Sequence, residues 1–570
     1  MLKSTKYKIK TQFKEELEPQ EILFDSEKKK KEEIERIELP IKSSTFSFLF
    51  FILILLLSLI FFRSLYLVEV RGKELISKAK ENYLRVFYFS APRGLIYSNE
   101  GIPLVENIPF EEGKEKKFRR NYIDPFYFSQ ILGYIRKADK KEIKKDSYYT
   151  LGTHIGKEGL EKEYEKYLRG EKGRKERIVN AKGKILKEET KREAVAGANL
   201  VLNISFDFQK KIYDILREKI KDKNFSVIAL DPNNGKILAL VSYPSDDNNI
   251  FSQDRISEQE LEKLKKEKKI FNQNLAISAL YPSGSTIKPL IGAIALEEKT
   301  IKKEEIINCP GKIVYGRTNF HDWKTHGFTN IRKALAESCN VFFYIVGGGN
   351  EGIEGLGISR IKRYLNLFFI EEKLGVDLPG EKTGFVPTPE WFSQTKEGKL
   401  RSWSKGDIYQ LSIGQGAFKI TPLHLSFAIS SLINRGKIYQ PQIVEKITDN
   451  EGKLIKEIKP KILRDLVEEN IIKKENLEEI KRGMRECVLT GSCRILQGLP
   501  VSSGGKTGTA QTEKEPHAWF VSFAPYENPE ILLLVMIENG GSGERVAAPL
   551  AKEILEWYIN FGKFAETKKS

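Results

Sequence analysis

The chain has 570 residues, 40% of them hydrophobic, and 95 Lys and Arg against 78 Asp and Glu give a net charge of +17. That length is too great for a single typical domain and suits one large core plus a smaller module. The positive excess implies an anionic neighbour, whether nucleic acid, a membrane surface or an acidic wall polymer; the chain shows no zinc-finger spacing, basic zipper or aromatic RNP pattern, so no nucleic-acid partner is expected.

Residues 1–42 are dominated by Glu and Lys with few aromatics, which predicts a solvated, disordered arm. No charge occurs from Ser43 to Phe62, and Phe46 to Phe62 is almost wholly Phe, Leu and Ile, enough to cross a hydrocarbon core of about 30 Å. The run is longer than the core of a signal peptide, and Arg63 to Leu67 offers no A-x-A cleavage site, so an uncleaved anchor over residues 43–68 is expected. Lys28 to Lys31, Arg36 and Lys42 on one side nearly balance Arg63, Arg71, Lys73, Lys78 and Lys80 on the other, and charge alone leaves the orientation open.

Residues 69–198 carry short strand-like pieces, such as Val86 to Phe89 and Arg177 to Val179, broken by Gly and Pro, and predict an extended module with a modest core. From residue 199 to 562 the texture changes. A helix over Phe208 to Ile220 precedes strands Phe225 to Leu230 and Ile237 to Val241, joined as a hairpin through Asp231-Pro232-Asn233-Asn234-Gly235. Ala518 to Phe523 and Ile531 to Ile537 read as two further strands, the second apolar enough to be buried on both faces, and Leu550, Ile554 and Tyr558 recur at helical spacing. Strands from both ends of one segment with helices between predict an α+β domain with an antiparallel sheet flanked by helices. Residues 563–570 are a polar tail.

Seven serines have a lysine three residues on: Ser26, Ser77, Ser285, Ser359, Ser393, Ser402 and Ser503. Only Ser285 combines a Pro-x-Gly turn before it with an apolar helical run after it, Ile287 to Leu296, which predicts a place in the first turn of a buried helix with Lys288 in reach of its hydroxyl. To take that proton Lys288 must be neutral; lowering its pKa from about 10.4 to about 7 amounts to roughly 4–5 kcal/mol of destabilised ammonium, and burial at a helix N-terminus acts in that direction. Ser338-Cys339-Asn340 after the helical segment Ile331 to Glu337 supplies a second hydroxyl and a carboxamide. Lys506-Thr507-Gly508-Thr509 lies in a glycine-bearing strand, where a substrate backbone can lie close; it lacks the spacing of a phosphate loop. A serine acyltransferase is the chemistry these three pieces share in this order.

With those residues in place, the chain resembles class B penicillin-binding proteins, the membrane-anchored peptidoglycan D,D-transpeptidases, from the anchor to about residue 560. Arg93-Gly94-Leu95-Ile96 with Glu100-Gly101-Ile102-Pro103-Leu104 is similar to one conserved box of that family, and Gly156-Lys157-Glu158-Gly159-Leu160-Glu161 with Leu168-Arg169-Gly170 to another. Both belong to the pedestal, or dimerisation-type domain, that the resemblance places at residues 69–198. Ser338 to Tyr344 and Leu411-Ser412-Ile413-Gly414-Gln415-Gly416 look like the elongation type, the penicillin-binding protein 2 group, although the stretch between Asn107 and Leu151 is short for a pedestal head.

The resemblance implies that Ser285 attacks the D-Ala-D-Ala carbonyl of a stem peptide with Lys288 as base, that Ser338 relays the proton, and that Asn340 holds the peptide. Backbone N–H groups of Ser285 and Thr509 would form the oxyanion hole, and Lys506, Thr507, Gly508 and Thr509 would bind the terminal carboxylate. It also implies residues 1–42 in the cytoplasm, the catalytic domain outside the inner membrane, β-lactams as inhibitors, and a RodA-type SEDS glycan polymerase as partner, with elongation scaffold proteins left open. The rivals are a division-type (septal) transpeptidase, a penicillin sensor without turnover, for which the N-terminal arm is too short, and a β-lactamase, for which no E-x-x-L-N segment is found. No cofactor is expected. Cys487 and Cys493 flank a short loop and could pair or stay free thiols. Cys309, Asp322, His326 and Cys339 are a mixed set of zinc candidates without a recognised spacing, and some elongation-type members carry a metal hereabouts.

Overall fold

The computed structural model describes residues 42–561 except 113–114, 181, 254–255, 260–261, 263–272 and 351, so the arm (but for Lys42) and the polar tail lie outside the described residues. Of the described residues, those up to 85 together with those in 178–184 form one unit and the others a second. In the first, the uncharged Phe, Leu and Ile run folds as one helix, α1 (Ser43–Glu69), 27 residues and about 40 Å long. It ends one residue past the expected anchor and buries none of its side chains. An apolar surface all round suits lipid, and the length suffices to cross a bilayer.

The second unit is built on a five-stranded antiparallel sheet. Helix α2 (Phe206–Ile220) leads into β1 (Phe225–Leu230) and β2 (Ile237–Tyr243), and β3 (Gly504–Ala510), β4 (His517–Ala524) and β5 (Ile531–Ile537) arrive from far down the chain. The order is β2-β1-β5-β4-β3, so the strand that carries Lys506 to Thr509 is an edge strand. Register locks Phe225 opposite Ile537 and Thr509 opposite Ala518. Alternation along β5 sends Leu532, Leu534 and Met536 into one apolar cluster and Leu533, Val535 and Ile537 into another. The second cluster is closed by α2 and by the C-terminal helix Ala548–Phe561. The first contains helix α3 (Lys288–Glu297), buried from Lys288 to Leu296. A sheet covered on both faces by helices is the α+β arrangement the sequence predicts.

The N-terminal boxes meet each other. Arg93 Nε lies 2.5 Å from Glu161 Oε2 and Arg93 Nη2 2.6 Å from Glu165, while Arg120 Nε reaches Glu161 Oε1 at 2.7 Å. Burial alone would raise the Glu161 carboxyl, but the two guanidiniums more than offset it and hold the pKa below its ordinary value. At Gly94 a Cβ would fall 1.9 Å from the Ala198 carbonyl oxygen, so the backbones approach too closely there for any side chain. Strand Ile96–Tyr97 then pairs with Asn199–Leu202, which pairs with Val444–Thr448, knitting this segment into the catalytic part.

Candidate active site

Ser285 is held by a turn, not by the helix proper. Gly284–Ile287 is a single 3-10 turn, and α3 starts only at Lys288, with Pro289 in its first turn where no N–H is required. The sequence places Ser285 in the first helical turn with Lys288 in reach of its hydroxyl; among the described residues no hydrogen bond joins the two. Lys288 Nζ instead donates to the Ser338 carbonyl oxygen at 2.8 Å and to Asn340 Oδ1 at 2.7 Å, and lies 3.4 Å from Ser338 Oγ. The reason is the tighter winding of the turn, together with two strong acceptors that offer themselves from the S-x-N segment.

That segment is itself strained. Helix α4 (Ile331–Ala336) ends, Ser338 adopts φ 57°, and α5 (Asn340–Gly348) begins with Cys339 as its cap. A left-handed non-glycine residue costs roughly 1–2 kcal/mol, and here it turns the Ser338 carbonyl to one lysine and its hydroxyl to another. Lys506 Nζ donates to Ser338 Oγ at 2.8 Å and to the Thr507 carbonyl at 2.9 Å. Both lysines are wholly buried. Desolvation lowers the pKa of Lys288 from 10.5 to about 8, although Asp322, Cys339 and Cys309 pull it upward. Desolvation first, and the Lys288 charge second, push Lys506 well below its ordinary value. Two ammonium groups around one hydroxyl in a dry site disfavour each other, so the site favours one neutral lysine and a bound anion.

The nucleophile turn and β3 pack backbone to backbone. A Cβ on Gly284 would lie 2.7 Å from the Thr509 carbonyl oxygen, and one on Gly508 2.7 Å from Thr286 Cγ2. Ser285 is half-buried and Thr509 exposed, so these two face the opening while the lysines lie behind. Thr509 Oγ1 accepts from the Gly543 N–H at 3.1 Å, and Thr507 Oγ1 lies 2.6 Å from Ser492 Oγ. The structure thus brings Ser285, Lys288, Ser338, Asn340, Lys506, Thr507, Gly508 and Thr509 into one site.

Three further residues support the site, and the first carries no sequence signal of its own. Ser492 is one; it sits in the loop that the Cys487–Cys493 disulfide closes, with Cα atoms 5.0 Å apart, so the pairing left open by the sequence is present and lies next to Thr507. Gln415 Nε2 contacts the Thr509 carbonyl at 3.4 Å. Gly414 is the third: its carbonyl accepts from Gly284 N–H at 3.0 Å, its φ is 72°, and a Cβ would fall 2.3 Å from both the Gly284 carbonyl and Ser283 Oγ. The signal for the last two is the Leu411 to Gly416 segment, whose likeness in the sequence speaks only for the elongation type. Gly414→Ala is expected to push the Ser285 turn out of place and cut the acylation rate by about 10²-fold, with unfolding temperature measured alongside to separate misplacement from collapse.

Of the four zinc candidates, Asp322, His326 and Cys339 bring their donor atoms within 4.8 Å of one another, and Cys309 lies beside Cys339. Cys339 Sγ lies 2.9 Å from Cys309 Sγ and 3.3 Å from Asp322 Oδ2, and His326 Nδ1 lies 3.5 Å from the same Asp322 oxygen. His326 Nδ1 is buried with no hydrogen-bond partner. Two thiols, an imidazole and a carboxylate form a zinc-type donor set.

Residues 225–556 match the penicillin binding protein transpeptidase domain and residues 114–202 the penicillin-binding protein dimerisation domain. The chain is 32% identical to the peptidoglycan D,D-transpeptidase MrdA of Haemophilus influenzae over 472 residues, 78% of this chain and 70% of that one. It is 28% identical to MrdA of Escherichia coli K12 over 476 residues, 77% and 71% of the two chains. Among solved structures, PBP2 of Pseudomonas aeruginosa in complex with WCK 5153 superposes with a TM-score of 0.70 at 27% identity, covering 83% of this chain and 97% of that one. PBP2 in complex with MreC from Helicobacter pylori gives 0.71 at 25% identity, covering 83% and 99%.

Proposed function

The chain belongs to the penicillin-binding transpeptidases, and on that premise we propose that it crosslinks peptidoglycan stem peptides during cell elongation through an acyl-enzyme on Ser285. The observation that carries the reading is the pair of buried lysines, Lys288 and Lys506, converging on Ser338 Oγ, with the half-exposed Ser285 in the turn that leads into Lys288. Neutral Lys288 takes the Ser285 proton as Oγ attacks the penultimate D-Ala carbonyl. The backbone N–H groups of Ser285 and Thr509 receive the oxyanion, at about 3–4 kcal/mol per donor. Ser338, bonded to Lys506 and near Lys288, passes the proton to the leaving amine, and D-alanine departs. Its carboxylate is met by Lys506 and by Thr509, which faces the opening, while Ser492 holds Thr507 behind them. The amine of a second stem then attacks the ester, and Ser285 is regenerated as the crosslink forms. Asn340, which accepts from Lys288, keeps that amine aimed and presents its carboxamide to the peptide.

Helix α1 supports a single-pass inner-membrane anchor, with the short N-terminal arm cytoplasmic and the catalytic unit periplasmic. The relative solved with MreC, and a further likeness to a peptidoglycan synthase complex at 25% identity and TM-score 0.72, support elongation-type partners; the partner proposed within that class is a RodA-type SEDS polymerase. Cys309, Asp322, His326 and Cys339 would hold a zinc ion, which the orphaned His326 Nδ1 and the donor set favour. There it would supply structural crosslinking of the loop around Asp322 to Cys339, the middle residue of Ser338-Cys339-Asn340, and so brace the two residues that hold Lys288.

The test is a crosslinking assay on the full chain, with glycan strands bearing pentapeptide stems. D-alanine release together with dimeric stem peptides, both blocked by penicillin, is the expected result. Release without dimers would make the protein a carboxypeptidase, and penicillin binding without release a sensor. Depletion in the native cell is expected to round it; filaments would assign the septal role instead.

A further inference from the structure

The two sulfurs of the zinc-type cluster are too close for the role alone. Zinc–sulfur bonds of about 2.3 Å in a tetrahedron hold two sulfurs about 3.7 Å apart. Cys309 Sγ and Cys339 Sγ are 2.9 Å apart, within about 0.9 Å of the ~2.05 Å of a disulfide. Both side chains are fully buried. Their positions are fixed from two sides. Cys309 ends strand Ile307–Cys309, paired to Gly327–Thr329, and Cys339 caps α5, its sulfur accepting from Phe342 N–H at 3.3 Å. The other two cysteines are already joined to each other, so this dithiol has no competing thiol among the described residues.

We propose that Cys309 and Cys339 are a redox pair which closes to a disulfide when no metal holds it, so that metal and disulfide exclude each other at this site. The inference rests on the zinc reading for its metal-bound state only. The oxidant is a disulfide, of a protein thiol oxidase or a small molecule such as oxidised glutathione. One thiolate of the pair attacks it, forming a mixed disulfide and expelling one thiol of the oxidant; the second thiolate attacks its neighbour's sulfur and expels the other. Two S–H bonds are lost, one S–S bond forms, the oxidant's S–S bond becomes two thiols, and the protons follow them. Closure draws Cys339 toward the strand. Ser338 and Asn340 flank it and hold Lys288 at 2.8 Å and 2.7 Å, so the closed form carries its base off position.

The experiment takes the full chain in detergent, either saturated with zinc or stripped by a chelator, and treats each with oxidised glutathione. Thiols are then alkylated under denaturing conditions, and non-reducing peptide maps are read by mass spectrometry. The zinc-saturated protein is expected to keep two alkylatable thiols. The stripped protein is expected to lose both to a Cys309–Cys339 linked peptide, with Cys487–Cys493 unchanged in both. Fluorescent-penicillin acylation of the linked form should fall by about 10²-fold and return on adding reductant and zinc. Two retained thiols in the stripped protein, glutathione on either cysteine without a link, or a link that forms equally with zinc present would each overturn the proposal. Linkage in a protein that takes up no zinc under any condition would overturn the metal reading and the exclusivity, while leaving the redox pair.

Discussion

Ser285→Ala is expected to abolish labelling by a fluorescent penicillin, a loss of about 10⁴–10⁶-fold in acylation rate, while leaving the fold intact. The substitution removes one half-exposed oxygen. What holds the turn lies elsewhere: Gly284 N–H donates to Gly414, Thr286 Oγ1 donates to the Ser283 carbonyl at 2.7 Å, and Ile287 to Leu296 are buried as before. Neither Lys288 nor Ser338 loses a bonded partner with that oxygen, because their hydrogen bonds run to each other and to Asn340 and Lys506. A loss of labelling at unchanged unfolding temperature is therefore chemical. Equal labelling of variant and wild type would sink the assignment, and the other six serine–lysine spacings would have to be reopened.

The pH dependence of acylation should follow Lys288. Its neutral form is the base, and burial lowers its pKa to about 8. Below that value the neutral fraction falls tenfold per pH unit, so the second-order rate of penicillin acylation should rise about tenfold per unit from pH 6 and level off near pH 8. The sign is set by desolvation, which disfavours the ammonium; a surface lysine would put the rise more than two units higher. Lys288→Met keeps most of the buried volume, removes the base, and is expected to lower the rate by about 10²–10⁴-fold and flatten the profile. It also leaves the Ser338 carbonyl and Asn340 Oδ1 without their donor, at about 1–3 kcal/mol for each buried group left unsatisfied. The profile separates these effects: a purely structural lysine would lower the rate and keep the slope. A Met variant with the wild-type pH profile would show that another group is the base, and Lys506, which also touches Ser338 Oγ, would be the next to test.

Much of the architecture was legible because it is written in local periodicity. The unbroken apolar run became α1, the alternation and turn chemistry of residues 225 to 241 became the β1–β2 hairpin, and seven consecutive apolar residues became β5, buried on both faces. The reacting residue types were legible for a different reason. Serine acyl transfer needs a hydroxyl, a desolvated amine and an anion-binding strand, and only Ser285 offered a lysine at the right spacing ahead of a buried helix.

The sequence by itself therefore pointed to the long apolar helix, the α+β class and the residues proposed for the chemistry, since each depends on neighbours within a few positions along the chain. The tertiary structure alone decided which of them touch. Lys288 was expected to face Ser285, three residues away, and it faces Ser338 and Asn340, some fifty residues on. Lys506 meets Ser338 from 168 residues away, Ser492 supports the site with no motif to announce it, and Gln415 and Gly414 do so from a segment whose likeness spoke only for the subgroup. Such contacts are set by which loops the sheet order brings side by side, with β3 at the edge beside the nucleophile turn. Burial, which lowers the pKa of Lys288, is a property of that packing and not of the residue.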